Sequence, residues 1–265
     1  MSWLGIDIGS SQVKAAAFDS AGVRLAVAYR KYQYETPRPS WMELNSRTVL
    51  DSALAVIAEC AEAVSHTSPV RAIGISSQGE AFTALDAAGA VLAPAMISGD
   101  CRAAAAIERF SEQFGKERLY RITGHTPSPM FSLAKLLWLK EERPELFCRA
   151  ARFLCFEDLL GNALTGRAAM GWPLAGRTML FDLETHAWSR EILDAAGIPE
   201  SKLAEPIPSG AIVGEVKPEL IRSLHLAPNA VLAAGGHDQV IGALGCGAFE
   251  PGSAMYAAGS VECLV

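Results

Sequence analysis

Leu4-Gly-Ile-Asp-Ile-Gly-Ser-Ser-Gln-Val-Lys-Ala-Ala-Ala-Phe18 decides the fold of this chain. Leu4, Ile6 and Ile8 alternate with small or polar residues, the period of a half-buried strand. Gly9-Ser-Ser-Gln12 reads as a tight turn, and Val13 to Phe18 returns as a second strand. Asp19-Ser-Ala-Gly22 turns again into a third, Val23 to Tyr29. Three consecutive strands joined by short polar turns make an antiparallel meander.

Outward from the meander the pattern changes to alternating helices and strands. Ser46 is the expected N-cap of an amphipathic helix over Val49 to Val64, and Val70 to Ser76 is an apolar run suited to a buried parallel strand. Thr83 to Leu85 and Val91 to Pro94 are expected to pair as a hairpin. Helices are expected over 103–114, 117–123, 132–142, 156–164, 188–196 and 218–224, several ending at glycine. Ala230 to Ala234 reads as a strand, Gly235-Gly-His-Asp238 as a loop, and Gln239 to Gly245 as the helix after it. A meander followed by helix–strand alternation, with a helical insert in the middle, is the order of an α/β ribonuclease-H-like domain of the actin/hexokinase type. The expected division is residues 1–253 as this domain and 254–265 as the first hairpin of a second one.

Composition narrows the function. The formal net charge of -6 opposes binding to nucleic acid or to an anionic membrane surface. The N-terminus has no basic and apolar leader pattern, and no apolar run reaches the roughly 18 residues that span a bilayer. Six cysteines without a C-x-x-C pair read as reduced thiols. The expectation is a soluble cytoplasmic protein.

Three segments carry chemistry. Asp7-Ile-Gly-Ser-Ser-Gln-Val-Lys14 places a carboxylate at a strand end before a turn of N–H groups and hydroxyls, a donor set for a hydrated cation and phosphate oxygens. Its bland reading is an ordinary hairpin turn. Gly74-Ile-Ser-Ser-Gln-Gly-Glu80 puts Gln78 and Glu80 at the end of a buried strand, where open α/β sheets bind ligands. Gly235-Gly-His-Asp-Gln239 brings Asp238 to the start of a glycine-rich helix, where a helix cap is the competing reading.

In this order the segments resemble the FGGY carbohydrate kinases over the entire chain. Ile122-Thr-Gly124, Lys135-Leu-Leu-Trp138, Leu164-Thr-Gly166, Asp100-Cys-Arg102 and Ala258-Gly-Ser260 are similar to further family motifs. The resemblance implies ATP-dependent phosphorylation of a small ketose or polyol. Asp238 would be the general base, with Gln78, Glu80, Asp238 and Gln239 on the sugar. Gly9, Ser10, Ser11, Lys14, Gly259 and Ser260 would bind the ATP phosphates, and Asp7 would hold Mg²⁺ through water. The alternative is a sugar-sensing protein on the same scaffold. Departures are Gly79 in place of an arginine, Ser98 in place of the family's usual tryptophan, Met130 in place of a substrate-contacting tyrosine, and Met170-Gly-Trp-Pro173 in a stretch that family members fill with Thr-Asp-x-Ser. No further cation stands in the Gln78-Gly-Glu80 loop, so a neutral substrate is expected unless Arg102 enters the cleft. Ala258-Gly-Ser260 resembles the start of the family's second lobe. The 265 residues are therefore expected to bind sugar weakly at best and to have little or no kinase activity alone, with a terminal hairpin either poorly ordered or paired with another copy of the chain in a homodimer.

Overall fold

The computed structural model describes residues 1–258 and 262–265. β1 (Ser2–Ile8) and β2 (Gln12–Phe18) pair antiparallel, and β2 pairs antiparallel with β3 (Arg24–Lys31), forming the meander. The strand Val70–Ser77 lies parallel beside β1, and Val231–His237 lies parallel beside that. Ile212–Glu215 closes the far edge, antiparallel to Val231–His237. The six-stranded order is therefore that of a ribonuclease-H-like sheet with one added edge strand.

Alternation in β1 sends Leu4, Ile6 and Ile8 to one face. There the helix α1 (Ser46–Val64) covers them with Val49, Ala53, Val56, Ile57, Cys60, Ala61 and Val64. The Cys60 thiol donates to Ala15 O at 3.2 Å, fastening helix to sheet. The helix Phe156–Thr165 packs beside α1 against the two parallel strands. The opposite face carries Gly5, Asp7, Lys14, Ala16, Gly74 and Ser76, and it forms the floor of an open cavity. Leaving small and polar residues on that face is what keeps the cavity open.

The helical insert spans Ala104–Phe114, Lys116–Thr123, Ser132–Glu142 and Pro144–Arg149. Gly124 and Gly166 end helices at φ 71° and 84°, left-handed values that a side chain disfavours. Four local expectations need correction. Asn45, not Ser46, caps α1, its Oδ1 accepting from Arg47 N and Thr48 N, while Ser46 Oγ is buried and accepts from Thr83 Oγ. Phe82–Leu85 touches its expected hairpin partner only through the isolated bridge Leu85–Val91. It pairs instead with Arg152–Cys155, where Phe82 and Phe153 meet edge to face at 5.4 Å. Trp188 belongs to a short strand opposite Phe181, and the helix behind it starts at Arg190 with Ser189 as cap. Gly235-Gly236-His237 is strand, and Asp238 is the first residue of the following helix.

The terminal strands Tyr256–Ala257 and Cys263–Leu264 pair with each other and, among the described residues, with no other strand. At the other end of the sheet's logic, Gly235 crosses the neighbouring strand at backbone contact. A Cβ there would lie 1.6 Å from Ile75 O, and one at Gly171 would lie 2.1 Å from Gly235 O. The register of Val231–His237 against Val70–Ser77 shifts between Ala233 and Gly236, at this crossing.

Gly235→Ala is accordingly expected to destabilise the chain by about 3 kcal/mol or more, because only backbone movement relieves the overlap. Gly5→Ala, with nothing within 4 Å of its added methyl, is expected to stay within about 1 kcal/mol of the parent. Urea unfolding of the two variants measures the difference, and equal midpoints would contradict the packing argument.

Candidate active site

The ends of three neighbouring strands converge on one opening. β1 ends in Asp7, Val70–Ser77 ends in Ser76 and Ser77, and Val231–His237 runs into Asp238. Asp7, Lys14, Ser76, Asp238 and Gln239 line an open cavity of about 810 Å³. Ser76 Oγ donates to Asp7 Oδ1 at 3.0 Å. Burial raises the Asp7 pKa, against the opposing pull of that hydrogen bond and of the Lys14 charge. Burial also pushes Asp238 up to about 6, helped by the charge of Asp7. Two carboxylates thus face the same space and oppose each other's ionisation.

The turn at residues 9–12 is built to stay open. Gly9 N donates to Gln12 O at 2.9 Å, and Gly9 O accepts from Tyr32 Oη at 2.7 Å and from Gln78 Nε2 at 2.9 Å. Gln78 therefore spends its amide donor on this turn and leaves Oε1 buried without a partner. Ser10, Ser11 and Lys14 are exposed at the rim. Gly259 and Ser260, expected at the phosphates, lie outside the described residues.

Beyond Asp238 the site continues through His237. Its Nε2 is 3.3 Å from Asp238 Oδ1, and burial lowers its pKa to about 4, so the ring is neutral near pH 7. Asp238 is the first residue of its helix and His237 holds the cap position without a side-chain cap bond, while the Asp238 carboxylate is hydrogen-bonded to Gln239. Gln239 Oε1 is buried and unpartnered.

Glu80 sits in a left-handed conformation, φ 66°, that a non-glycine residue adopts only when held there. Its carbonyl accepts from Ser132 Oγ at 2.9 Å and from the buried Lys135 Nζ at 3.2 Å. Burial draws the Lys135 pKa down to about 8. Its carboxylate accepts from Ser98 Oγ at 2.7 Å and from Arg177 Nε at 2.6 Å. Arg177 is the cation the sequence reading did not place here. It stands 97 residues from Glu80, and only the fold brings it in. Arg102 does not enter the cleft. Its guanidinium pairs with Asp100 at 2.6 Å and Glu43 at 2.8 Å and lies over Trp41 at 3.6 Å.

A second residue invisible in the sequence is Glu157. Its Oε1 accepts from Gly235 N at 2.9 Å and Gly171 N at 3.1 Å, tying together the two backbones that cross at the glycine contact. Asp158 beside it accepts from Cys155 N at 3.0 Å. Among the described residues, no cluster of three or more His, Cys, Asp or Glu side chains is arranged to hold a metal ion. No helix among the described residues is long and apolar enough to cross a membrane.

Residues 2–245 match the model of the FGGY family of carbohydrate kinases, N-terminal domain. The xylulose kinase of Lactococcus lactis subsp. lactis is 31% identical over 247 residues, covering 92% of this chain and 49% of that protein. The glycerol kinase of Polaromonas sp. is 34% identical over 227 residues, covering 82% and 46%. The solved xylulose kinase from Rhodospirillum rubrum superposes with a TM-score of 0.94 at 24% identity, over 100% of this chain and 54% of that one. The chain spans about half the length of the curated relatives it matches.

Glu157 makes a stability prediction with a definite sign. Burial raises its pKa from 4.5 to about 7, so between those values the folded state binds more protons than the unfolded one. Stability from this group is therefore present at low pH and declines as pH rises through 7. Glu157→Gln keeps an acceptor for both glycine N–H groups without the charge. It should flatten that decline between about pH 5 and 7 and melt above the parent at pH 8. A parallel pair of melting-temperature curves across that range would contradict the assignment.

Proposed function

The chain belongs to the FGGY family of carbohydrate kinases, and from its site geometry we propose that the protein transfers the γ-phosphoryl group of ATP to a hydroxyl of a neutral sugar or polyol. The observation that carries this reading is the pair Asp7 and Asp238, on separate strand ends, facing one open cavity beside the Gly9–Gln12 turn. The names of the relatives, xylulose kinase and glycerol kinase, support a ketose or polyol acceptor.

Asp238 is the general base. With a pKa near 6 it is ionised at neutral pH yet basic enough to accept a hydroxyl proton as the oxygen attacks. Its position at the first turn of a helix keeps it fixed while the acceptor approaches. Gln239, next in the chain, has an unpartnered Oε1 to offer a sugar hydroxyl. Ser10, Ser11 and Lys14 at the exposed turn receive phosphate oxygens, Lys14 as a point charge.

The donor set fits Mg²⁺ bound mostly by water and phosphate, since Asp7 is a half-buried carboxylate with one oxygen engaged by Ser76 and no protein cage surrounds it. Asp7 would hold the ion, which when bound neutralises charge on the phosphates. Neutrality of the acceptor follows from pairing. The Glu80 carboxylate is matched by Arg177, Arg102 is matched by Asp100 and Glu43, and His237 is uncharged. An acidic sugar would find no unpaired cation in this part of the site.

In the whole protein, Asp238→Asn is expected to lower acceptor-dependent ADP release by roughly 10²–10⁴ while sugar affinity changes little. In the parent, kcat/KM should rise with pH through about 6 and level off, because the base works only when ionised. Sugar binding without any ATP consumption would show a sensor instead of a kinase, and near-parental turnover in Asp238→Asn would remove Asp238 from the chemistry.

A further inference from the structure

Three observations meet at Arg177. The first is that Glu80 has almost no surface to offer a ligand. Its side chain is 3% exposed, with one carboxylate oxygen taken by Ser98 and the other by Arg177. Ser132 and Lys135 hold its backbone from below.

The second is what Arg177 leaves free. Its side chain is 23% exposed. Nε and Nη2 both turn to Glu80, Nη2 also lies 3.9 Å from Met130 Sδ, and the guanidinium rests over Phe131 at 4.9 Å. Among the described residues Nη1 has no protein acceptor. A guanidinium held on one edge by a carboxylate and on one face by a ring is pre-organised, so its remaining donors act with little loss of side-chain freedom.

The third is Gly79. A Cβ there would meet His237 Cδ2 at 2.8 Å and Arg177 Cβ at 3.3 Å. The glycine thus lets His237 and Arg177 pack against the same loop, and His237 Nε2 in turn lies 3.3 Å from Asp238 Oδ1. His125 lies close by, with burial and the Arg177 charge lowering its pKa. Arg177 is thus surrounded by the Glu80 carboxylate, the Met130 thioether and the rings of Phe131, His125 and His237.

We propose that Arg177 is a specificity-determining residue that donates to a hydroxyl of the acceptor, while Glu80 acts through it by holding the guanidinium in place. The ligand class is a neutral polyhydroxylated molecule. A carboxylate brought to the free edge of Arg177 would also approach Glu80, and like charges at that range in a partly buried site repel. The inference rests on the reading that the cleft beside Asp238 binds a sugar or polyol.

The test is ADP release by the whole protein, with glycerol and xylulose as separate acceptors. Parental turnover with neither acceptor would defeat the functional reading and this inference together. With turnover present, Arg177→Lys is expected to raise the acceptor KM by about 10- to 100-fold, the cost of losing a charged hydrogen bond. It should leave kcat nearly unchanged and alter the ratio of kcat/KM between the two acceptors. Arg177→Gln combined with Glu80→Gln leaves no lone buried charge, so it guards against misfolding. Its KM should match that of Arg177→Gln alone, since Glu80 acts only through Arg177. An unchanged KM in Arg177→Lys, with a raised KM in Glu80→Gln alone, would assign the contact to Glu80 and overturn the inference.

Discussion

The backbone crossing at Gly235 is the constraint on which the site depends. Parallel strands ordinarily keep their carbonyls in register, but here Gly235 sits directly over Ile75 O and beneath Gly171. Only residues without a side chain permit that approach. It bends the end of Val231–His237 out of plain pairing and delivers Asp238 to the cavity. The displaced N–H groups of Gly235 and Gly171 need an acceptor, and Glu157 supplies one oxygen for both. A buried, desolvated carboxyl is a costly acceptor. Its use here reflects how few alternatives exist where two backbones touch.

The second organising feature is charge cancellation at close range. Arg177 meets Glu80, and Arg102 meets Asp100 and Glu43 between the rings of Trp41 and Trp138. The buried Lys135 spends its ammonium on the Glu80 carbonyl. These pairs fix loops that carry no regular structure. In the reading proposed above, they leave the side of the cleft given to the sugar with polar groups and little net charge, and Lys14 and the open turn take the phosphates. Asp7 and Asp238 lie where the two sides meet, which is where an attacking hydroxyl and a transferring phosphoryl group would have to come together.

Much of this was legible in the residues. The meander, the parallel strands and the glycine helix ends follow from period-two alternation and from positions such as Gly124 and Gly166 that require left-handed backbone. Of the three segments singled out in the sequence, those of Asp7 and Asp238 line the cavity, while Gln78 and Glu80 lie outside its lining. What escaped the sequence depends on long-range partners. Arg177 reaches Glu80 across 97 residues and Glu157 reaches Gly235 across 78, and neither contact leaves a periodic trace. The Phe82–Leu85 strand has a plausible turn after it, Asp86 to Gly89, yet an all-buried strand gains more from the apolar Arg152–Cys155 strand than from a solvent-edge hairpin. Asn45 and Ser46 are both good caps, and one residue of register separated them. Gln78 was expected on the sugar, and its inward donation to Gly9 O left no trace in the sequence.

The central claim is that this site moves a phosphoryl group from ATP to a neutral hydroxyl with Asp238 as base. Phosphorus NMR of the whole protein with ATP, Mg²⁺ and either xylulose or glycerol tests it most directly, because it identifies the bond formed. The account predicts a new sugar or polyol phosphomonoester resonance growing together with ADP, present in the parent and suppressed in Asp238→Asn. Inorganic phosphate appearing at the same rate with and without acceptor, and no phosphomonoester with either, would contradict it.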